Sequence, residues 1–210
     1  MIAKNHLFVL PYEQVVFVVG GWEMAHALIR LMEETPVVPA LKDAAQIQEC
    51  VACPSRIVFV LCGDILGIEA LIRQLHDAGK KAVIHADLVY GLAQKEIAAD
   101  YLCRCGADGI ISTRPHIVRR GKELGMLSVL RVFVIDSKAL SNLKNEVETG
   151  RPDMVEVLPG TIFSAIGKLS TQLRTPLIAG GLLESKQDVM AALRAGALCV
   201  SSSNRELWTI

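Results

Sequence analysis

The 210-residue sequence predicts an α/β fold of the (β/α)8 TIM-type barrel class, a single domain with an N-terminal extension. Three observations carry this prediction. Short apolar runs recur roughly 20 to 27 residues apart, each followed by an amphipathic stretch of helix length. Helix start and stop residues fall between the runs in the order that strand-then-helix units require. The last two runs end in IAGGLL and VSSSN, and the loops after the seventh and eighth strands are where such barrels hold an anion on backbone N–H groups.

The runs begin near Val37, Ile57, Ala82, Gly109, Ser128, Met154, Leu177 and Leu198. Asp43, Asp64 and Ser137 stand at expected helix N-caps, Ser185 and Asp188 form a capping-box pattern, and Pro115 suits a first helical turn. Gly79, Gly106, Gly125, Gly150 and Gly196 fall where helices should stop. An open doubly wound sheet shows the same alternation, but its glycine-rich phosphate turn follows the first strand, and the segment around Leu41, Lys42 and Asp43 has no glycine. The barrel is therefore expected over residues 37–210, leaving 1–36 as the extension.

The extension is apolar in HLFVLPYEQVVFVVGG but is interrupted by Pro11, Glu13 and Gln14, so neither piece is long enough to span a membrane. It also lacks the small-residue cleavage pattern of an export signal. We expect the prefix to be an artefact of start assignment, with translation beginning at Met24 or Met32; the alternative is an extra strand or a plug across the barrel's bottom.

Composition narrows the function. Half of the residues are apolar (51%), enough for one large core, and 22 basic residues balance 22 acidic ones. Such a balance counts against constitutive binding to nucleic acid or membrane and leaves room only for a local patch. The cysteines at 50, 53, 62, 103, 105 and 199 lack matching histidines at metal-binding spacing and read as structural thiols in a reducing cytoplasm, with no metal expected.

Charges at strand ends carry the chemistry. His85 and Asp87 come at the end of the third run, on one face if the strand continues, and Lys42 ends the first. Arg131 and Glu156 interrupt adjacent apolar strands, where they must pair with each other or hold a ligand's anion and hydroxyls. Gly180, Gly181, Ser202 and Ser203 form the expected phosphate cradle, leading into a short helix over 204–208. Arg114, His116, Arg119, Arg120 and Lys122 crowd one helix; they form either a solvated face or a contact patch for a phosphate backbone.

Taken together, IHADLVYGLAQKE, ADGIISTRP, RVFVIDSKAL, DMVEVLPG, IAGGL and VSSSN resemble, in order from Val37 to Trp208, the GlpP family of glycerol-3-phosphate-responsive antiterminator proteins. The resemblance implies a cytoplasmic regulator that binds glycerol 3-phosphate as effector, needs no cofactor, and acts on the leader mRNA of glycerol-uptake genes to permit read-through of a terminator. It points to Lys42, Asp87, Lys95, Arg131, Glu156, Gly180, Gly181 and Ser202 as ligand-site residues, and it leaves a homo-oligomer open. Tyr90 departs from the family pattern, standing where an acidic or polar residue is expected, and Arg114 takes a place often filled by Lys. The competing reading is a phosphate-binding barrel enzyme acting on a glycerol phosphate or phosphosugar, with His85 or Asp87 as base and Glu156 as acid, or with all three as metal ligands.

Overall fold

The computed structural model describes the backbone of residues 12–210 and side chains from Glu23 onward except that of Ser137. Eight parallel strands close into a barrel in sequence order: β1 Val37–Leu41, β2 Ile57–Val60, β3 Lys81–His85, β4 Gly109–Ser112, β5 Leu127–Phe133, β6 Met154–Leu158, β7 Leu177–Gly180 and β8 Cys199–Ser202, with β8 pairing back onto β1. Helix α1 (Tyr12–Glu34) precedes the barrel. Helices α2 (Ile47–Ala52), α3 (Ile68–Asp77), α4 (Ile97–Arg104), α5 (Pro115–Glu123), α6 (Ser137–Gly150), α7 (Phe163–Gln172) and α8 (Lys186–Arg194) fill the gaps between strands. A 3-10 turn, Arg205–Leu207, follows β8 with Asn204 as its cap, which is the short terminal helix the sequence suggests.

Strand alternation sorts the side chains into two cores. Val58, Val60, Ile84, Ile110, Leu130, Val155, Val157 and Val200 point outward and pack with the helices. Phe59, Val83, Ile111, Leu127, Val129, Met154, Ile178 and Cys199 fill the barrel interior. Both faces of every strand are thus buried, which is why the strands read as near-continuous apolar runs.

The lower end of the barrel is closed by α1, whose Ala25, Leu28 and Met32 join the interior cluster. Residues Ala25 to Met32 of α1 thus cover the barrel's bottom. Residues 1–11 lie outside the described residues. Nearby, Asp108 accepts from Ala82 N and Lys81 Nζ, while Asp153 accepts from Ser128 N and Lys122 Nζ, so each carboxylate ties the start of one strand to its neighbour. Among the described residues no helix is long and apolar enough to cross a membrane.

Most of the punctuation stands as expected, with three corrections. Asp136, not Ser137, caps α6, its carboxylate accepting from Ala139 N. Asp64 acts a turn early: its side chain accepts from Leu66 N and Gly67 N, and Gly67 becomes the N-cap of α3. Gly150 is the last residue of α6, and the left-handed stop falls on Arg151 at φ 46°. In the first two cases the side chain of a nearby aspartate takes the helix-start amides, a choice that spacing alone does not make. The capping box of Ser185 and Asp188 is complete. Burial pushes the Cys50 thiol up to about 12 and Cys199 higher still, as befits inert packing groups.

Candidate ligand-binding site

At the C-terminal end of the barrel the inward positions change character. One step of alternation above the apolar interior, Val83 gives way to His85, Val129 to Arg131, Met154 to Glu156 and Cys199 to Ser201. Arg131 and Glu156 are register partners on β5 and β6, and Arg131 Nε donates to Glu156 Oε2 at 2.6 Å. Ser201 Oγ donates to Oε1 at 2.5 Å. Arg131 is buried and Glu156 is wholly so. The chain has accepted the desolvation of two charges at the mouth of the barrel, a cost that a site for polar ligands explains better than stability does.

Gly180 makes room for this pair. A Cβ there would stand 2.7 Å from Glu156 Oε1 and 2.8 Å from Ser201 Oγ. Gly180 is thus a steric permission rather than a lining residue; the Gly160 amide donates to its carbonyl at 2.6 Å. Gly181, at φ 73°, and Leu182, at φ 57°, turn the chain out of β7 in left-handed conformation.

Above the pair opens a cavity of about 450 Å³ lined by Lys42, Arg131, Glu156, Gly181, Ser201 and Ser203, with Ala40, Leu61, Leu88, Phe133 and Leu158 supplying its apolar walls. A second hollow of about 560 Å³ shares Lys42, Gly181 and Ser203 and adds Ser202 and Asn204. Of the residues named from sequence, Lys42, Arg131, Glu156, Gly181, Ser202 and Ser203 converge here. Ser201, part of the serine run that ends the last strand, also lines the cavity; the apolar walls lacked a sequence signal of their own, though counting by twos from the apolar interior positions finds Leu61, Phe133 and Leu158.

The remaining candidates stand apart. Lys95 is exposed in the loop before α4 and is not among the residues lining the cavity. The strand ends at His85, so the shared face expected for His85 and Asp87 is lost: Asp87 lies in a 3-10 turn, Ala86–Leu88, and faces β4. There its carboxylate accepts from Ser112 Oγ at 2.6 Å, Thr113 N at 2.7 Å and Thr113 Oγ1 at 2.8 Å. Burial raises the Asp87 pKa, but these donors outweigh it and hold the carboxyl below its ordinary value. Asp87 is a structural clasp between β3 and β4.

His85 is buried with Nδ1 lacking a hydrogen-bond partner, and burial, then the charge of Arg131, hold its pKa down at about 4. A folded-state value below the unfolded 6.5 means that the stability from keeping this ring neutral is complete above pH 6.5 and is lost as the pH falls toward 4. Across that window we expect a loss of about 2–3 kcal/mol, which His85→Asn flattens. Denaturant titrations at a series of pH values check it. Asp87, by contrast, contributes above the ordinary carboxylate value of 3.8 and loses its share only at lower pH.

With this geometry in hand, relatives can be compared. The family model described as "Glycerol-3-phosphate responsive antiterminator" matches residues 37–208, the barrel from its first strand to its last turn. The chain belongs to that antiterminator family. It is 34% identical to the glycerol uptake operon antiterminator regulatory protein of Listeria monocytogenes, with a TM-score of 0.80 over 83% of this chain and 95% of that one. A glycerol uptake operon antiterminator-related protein of Thermotoga maritima is also 34% identical, with a TM-score of 0.74 over 82% and 96%. The uncharacterized protein YgcP of Escherichia coli (strain K12) is 34% identical over 87% of this chain and 96% of its own length. Enzymes matched at 21% identity and below share the fold alone.

For a member of the antiterminator family, the basic group on α5 has a second interest. Its cations are largely met within the chain. Arg120 pairs with Asp100 at 2.6 Å and Glu123 at 3.3 Å, Lys122 with Asp153 at 2.7 Å, and Arg119 approaches Glu123 at 3.8 Å. Arg114 bonds to Gln94. Arg119, half-exposed and at the longest of these separations, is the cation most available to a partner.

Proposed function

We propose that the chain is a glycerol-3-phosphate-responsive regulator that binds the leader mRNA of glycerol-uptake genes and permits transcription past a terminator. The cavity carries this reading. Its Lys42, Gly181 and Ser203 end suits a phosphate, supplying a cation, a left-handed turn and a hydroxyl, while the Arg131–Glu156 pair faces the polyol. The effector needs no cofactor and no metal. A ligand shifts a regulator only by its differential affinity for two states, and the site sits where the segments after β1, β2, β3, β7 and β8 meet, so one small molecule touches several elements that reach the surface.

The chemistry of the side chains favours regulation over catalysis. The two candidate bases are poorly suited to proton transfer: Asp87 already accepts three hydrogen bonds, and the unpartnered His85 Nδ1 is sealed from solvent. Barrels with phosphate sites commonly do catalyse reactions, but fold does not decide function.

The RNA contact is proposed on the α5 face, from Arg114 through Arg119 and Arg120 to Lys122. Replacing Arg119 and Arg120 together is expected to weaken leader binding and to lower the slope of log affinity against log salt by about 1–2, leaving glycerol 3-phosphate affinity unchanged. Undiminished RNA binding moves the contact off this helix. The test of the whole reading is binding of the chain to the leader transcript with and without glycerol 3-phosphate: ligand-dependent binding supports regulation, and turnover of the compound without RNA binding supports the enzyme.

A further inference from the structure

We propose that a second ligand site lies at the closed end of the barrel, in the hollow that α1 forms with the segments leading into β5, β6 and β7, and that it takes a nucleotide, with the phosphate on Arg174 and the base against Met126, Pro152 and Pro176. The site is at the opposite end of the molecule from the mouth. It does not rest on the function proposed there.

The hollow measures about 770 Å³, a size that suits a small organic ligand. Helix α1 supplies one wall through His26 and Ile29, and the other comes from the residues just before the three strands and from Lys122 near the end of α5. Its polar groups divide into those already used and those still open. Asp153, the carboxylate of the lining, accepts through Oδ1 from Lys122 Nζ at 2.7 Å, and through Oδ2 from Ser128 N at 3.0 Å and Ser128 Oγ at 2.7 Å. Lys122 is thereby neutralised, and His26 also interacts within the chain. Arg174 differs. Among the described residues its guanidinium has no hydrogen-bond or ion-pair partner, and neither has the hydroxyl of Thr175 beside it.

What stays open in the hollow is a positive charge with five N–H donors, so its ligand must bring an anion rich in acceptors. A planar guanidinium meets such oxygens in pairs. A phosphomonoester carries close to two negative charges near neutral pH and three acceptor oxygens, and makes fuller use of Arg174 than a carboxylate does. The remaining walls select what the phosphate is attached to. Ile29, Met126, Pro152 and Pro176 have no hydrogen-bonding hydrogen to offer, and a thioether packs favourably at the edge of an aromatic ring. A phosphate joined to a flat ring satisfies both parts of the hollow, whereas a bare anion leaves the apolar part in water. A free nucleotide and a nucleotide within an RNA strand present the same chemistry.

The test is calorimetric titration of the full chain with AMP, a single-stranded RNA hexamer and inorganic phosphate. Inorganic phosphate is expected to bind at least about tenfold more weakly than the nucleotide probe, because it covers no apolar wall. Arg174→Ala is expected to lower nucleotide affinity at least about tenfold, the measure of one charge-assisted hydrogen bond. Ile29→Trp, which fills the hollow, should abolish binding, and Lys42→Ala at the mouth should leave it unchanged. Binding of AMP that depends on Arg174 supports a site for a free nucleotide; binding of the hexamer alone with the same dependence supports a site for a strand. Binding of neither probe overturns the proposal. So does an affinity that Arg174→Ala leaves intact, or one that Lys42→Ala removes. The Arg174 and Lys42 comparisons hold whether or not Ile29→Trp folds.

Discussion

Arg131→Ala is expected to lower folding stability by about 3–5 kcal/mol, because it strands a buried carboxylate, and to abolish the rise in melting temperature that the proposed function predicts with glycerol 3-phosphate. Glu156 is completely enclosed, and its remaining hydrogen-bond partner, Ser201, is neutral. The ligand effect follows from mass action, since a molecule that binds only the folded state raises apparent stability in proportion to its affinity. The two consequences can be separated. The double replacement Arg131→Met with Glu156→Leu removes both charges together, and such exchanges of a buried pair are often neutral or better. It should melt within about 1 kcal/mol of the native chain and still show no ligand shift. Thermal melts with and without ligand measure both quantities; an undiminished shift in Arg131→Ala would clear Arg131 of a ligand role.

Gly180→Ala is the second large effect. The new methyl would lie 2.7 Å from Glu156 Oε1 and 2.8 Å from Ser201 Oγ, two atoms already bonded to each other at 2.5 Å. Neither moves cheaply, because Glu156 is also held by Arg131 and Ser201 sits within β8. Overpacking of this kind costs about 1–3 kcal/mol, and here the displaced groups are among those lining the cavity proposed to hold the ligand. We expect glycerol 3-phosphate affinity to fall at least about tenfold, as for one lost charge-assisted hydrogen bond. Gly181→Ala is a useful contrast: its φ of 73° opposes any side chain, but the nearest neighbour of its Cβ is Leu158 at 3.4 Å, so backbone strain and not displacement of Glu156 sets its effect. Calorimetry on the two variants compares them, and native affinity in Gly180→Ala would show that the carboxylate's placement is not what the ligand reads.

Much of the fold was legible because both faces of each strand are buried. Continuous apolar runs such as IVFV over 57–60 and MVEVL over 154–158 have no competing interpretation once amphipathic helices separate them. Arg131 and Glu156 were visible for the opposite reason: an ionic group in such a run must be paired or bound. Their direct partnership depends on the register of β5 against β6, which the alternation of apolar residues leaves open by whole steps of two. The face that Asp87 takes depends on where β3 stops. Two residues past His85 the backbone has already turned, and the hydroxyls of Ser112 and Thr113, 25 and 26 positions away, claim the carboxylate. The basic stretch on α5 likewise has carboxylate partners, Asp100 and Asp153, that lie 20 and 31 residues distant. Local sequence shows the charges and hides what neutralises them.

The central claim is that a phosphomonoester lies at the mouth of the barrel with its anion on the β7 and β8 loops and its hydroxyls on the buried pair. A crystal structure of the chain grown with glycerol 3-phosphate tests it most directly. The phosphate is predicted between Lys42, Gly181 and Ser203, with the diol toward Glu156 and Arg131. Phosphate density at any other place on the molecule, with this mouth empty, would contradict the account.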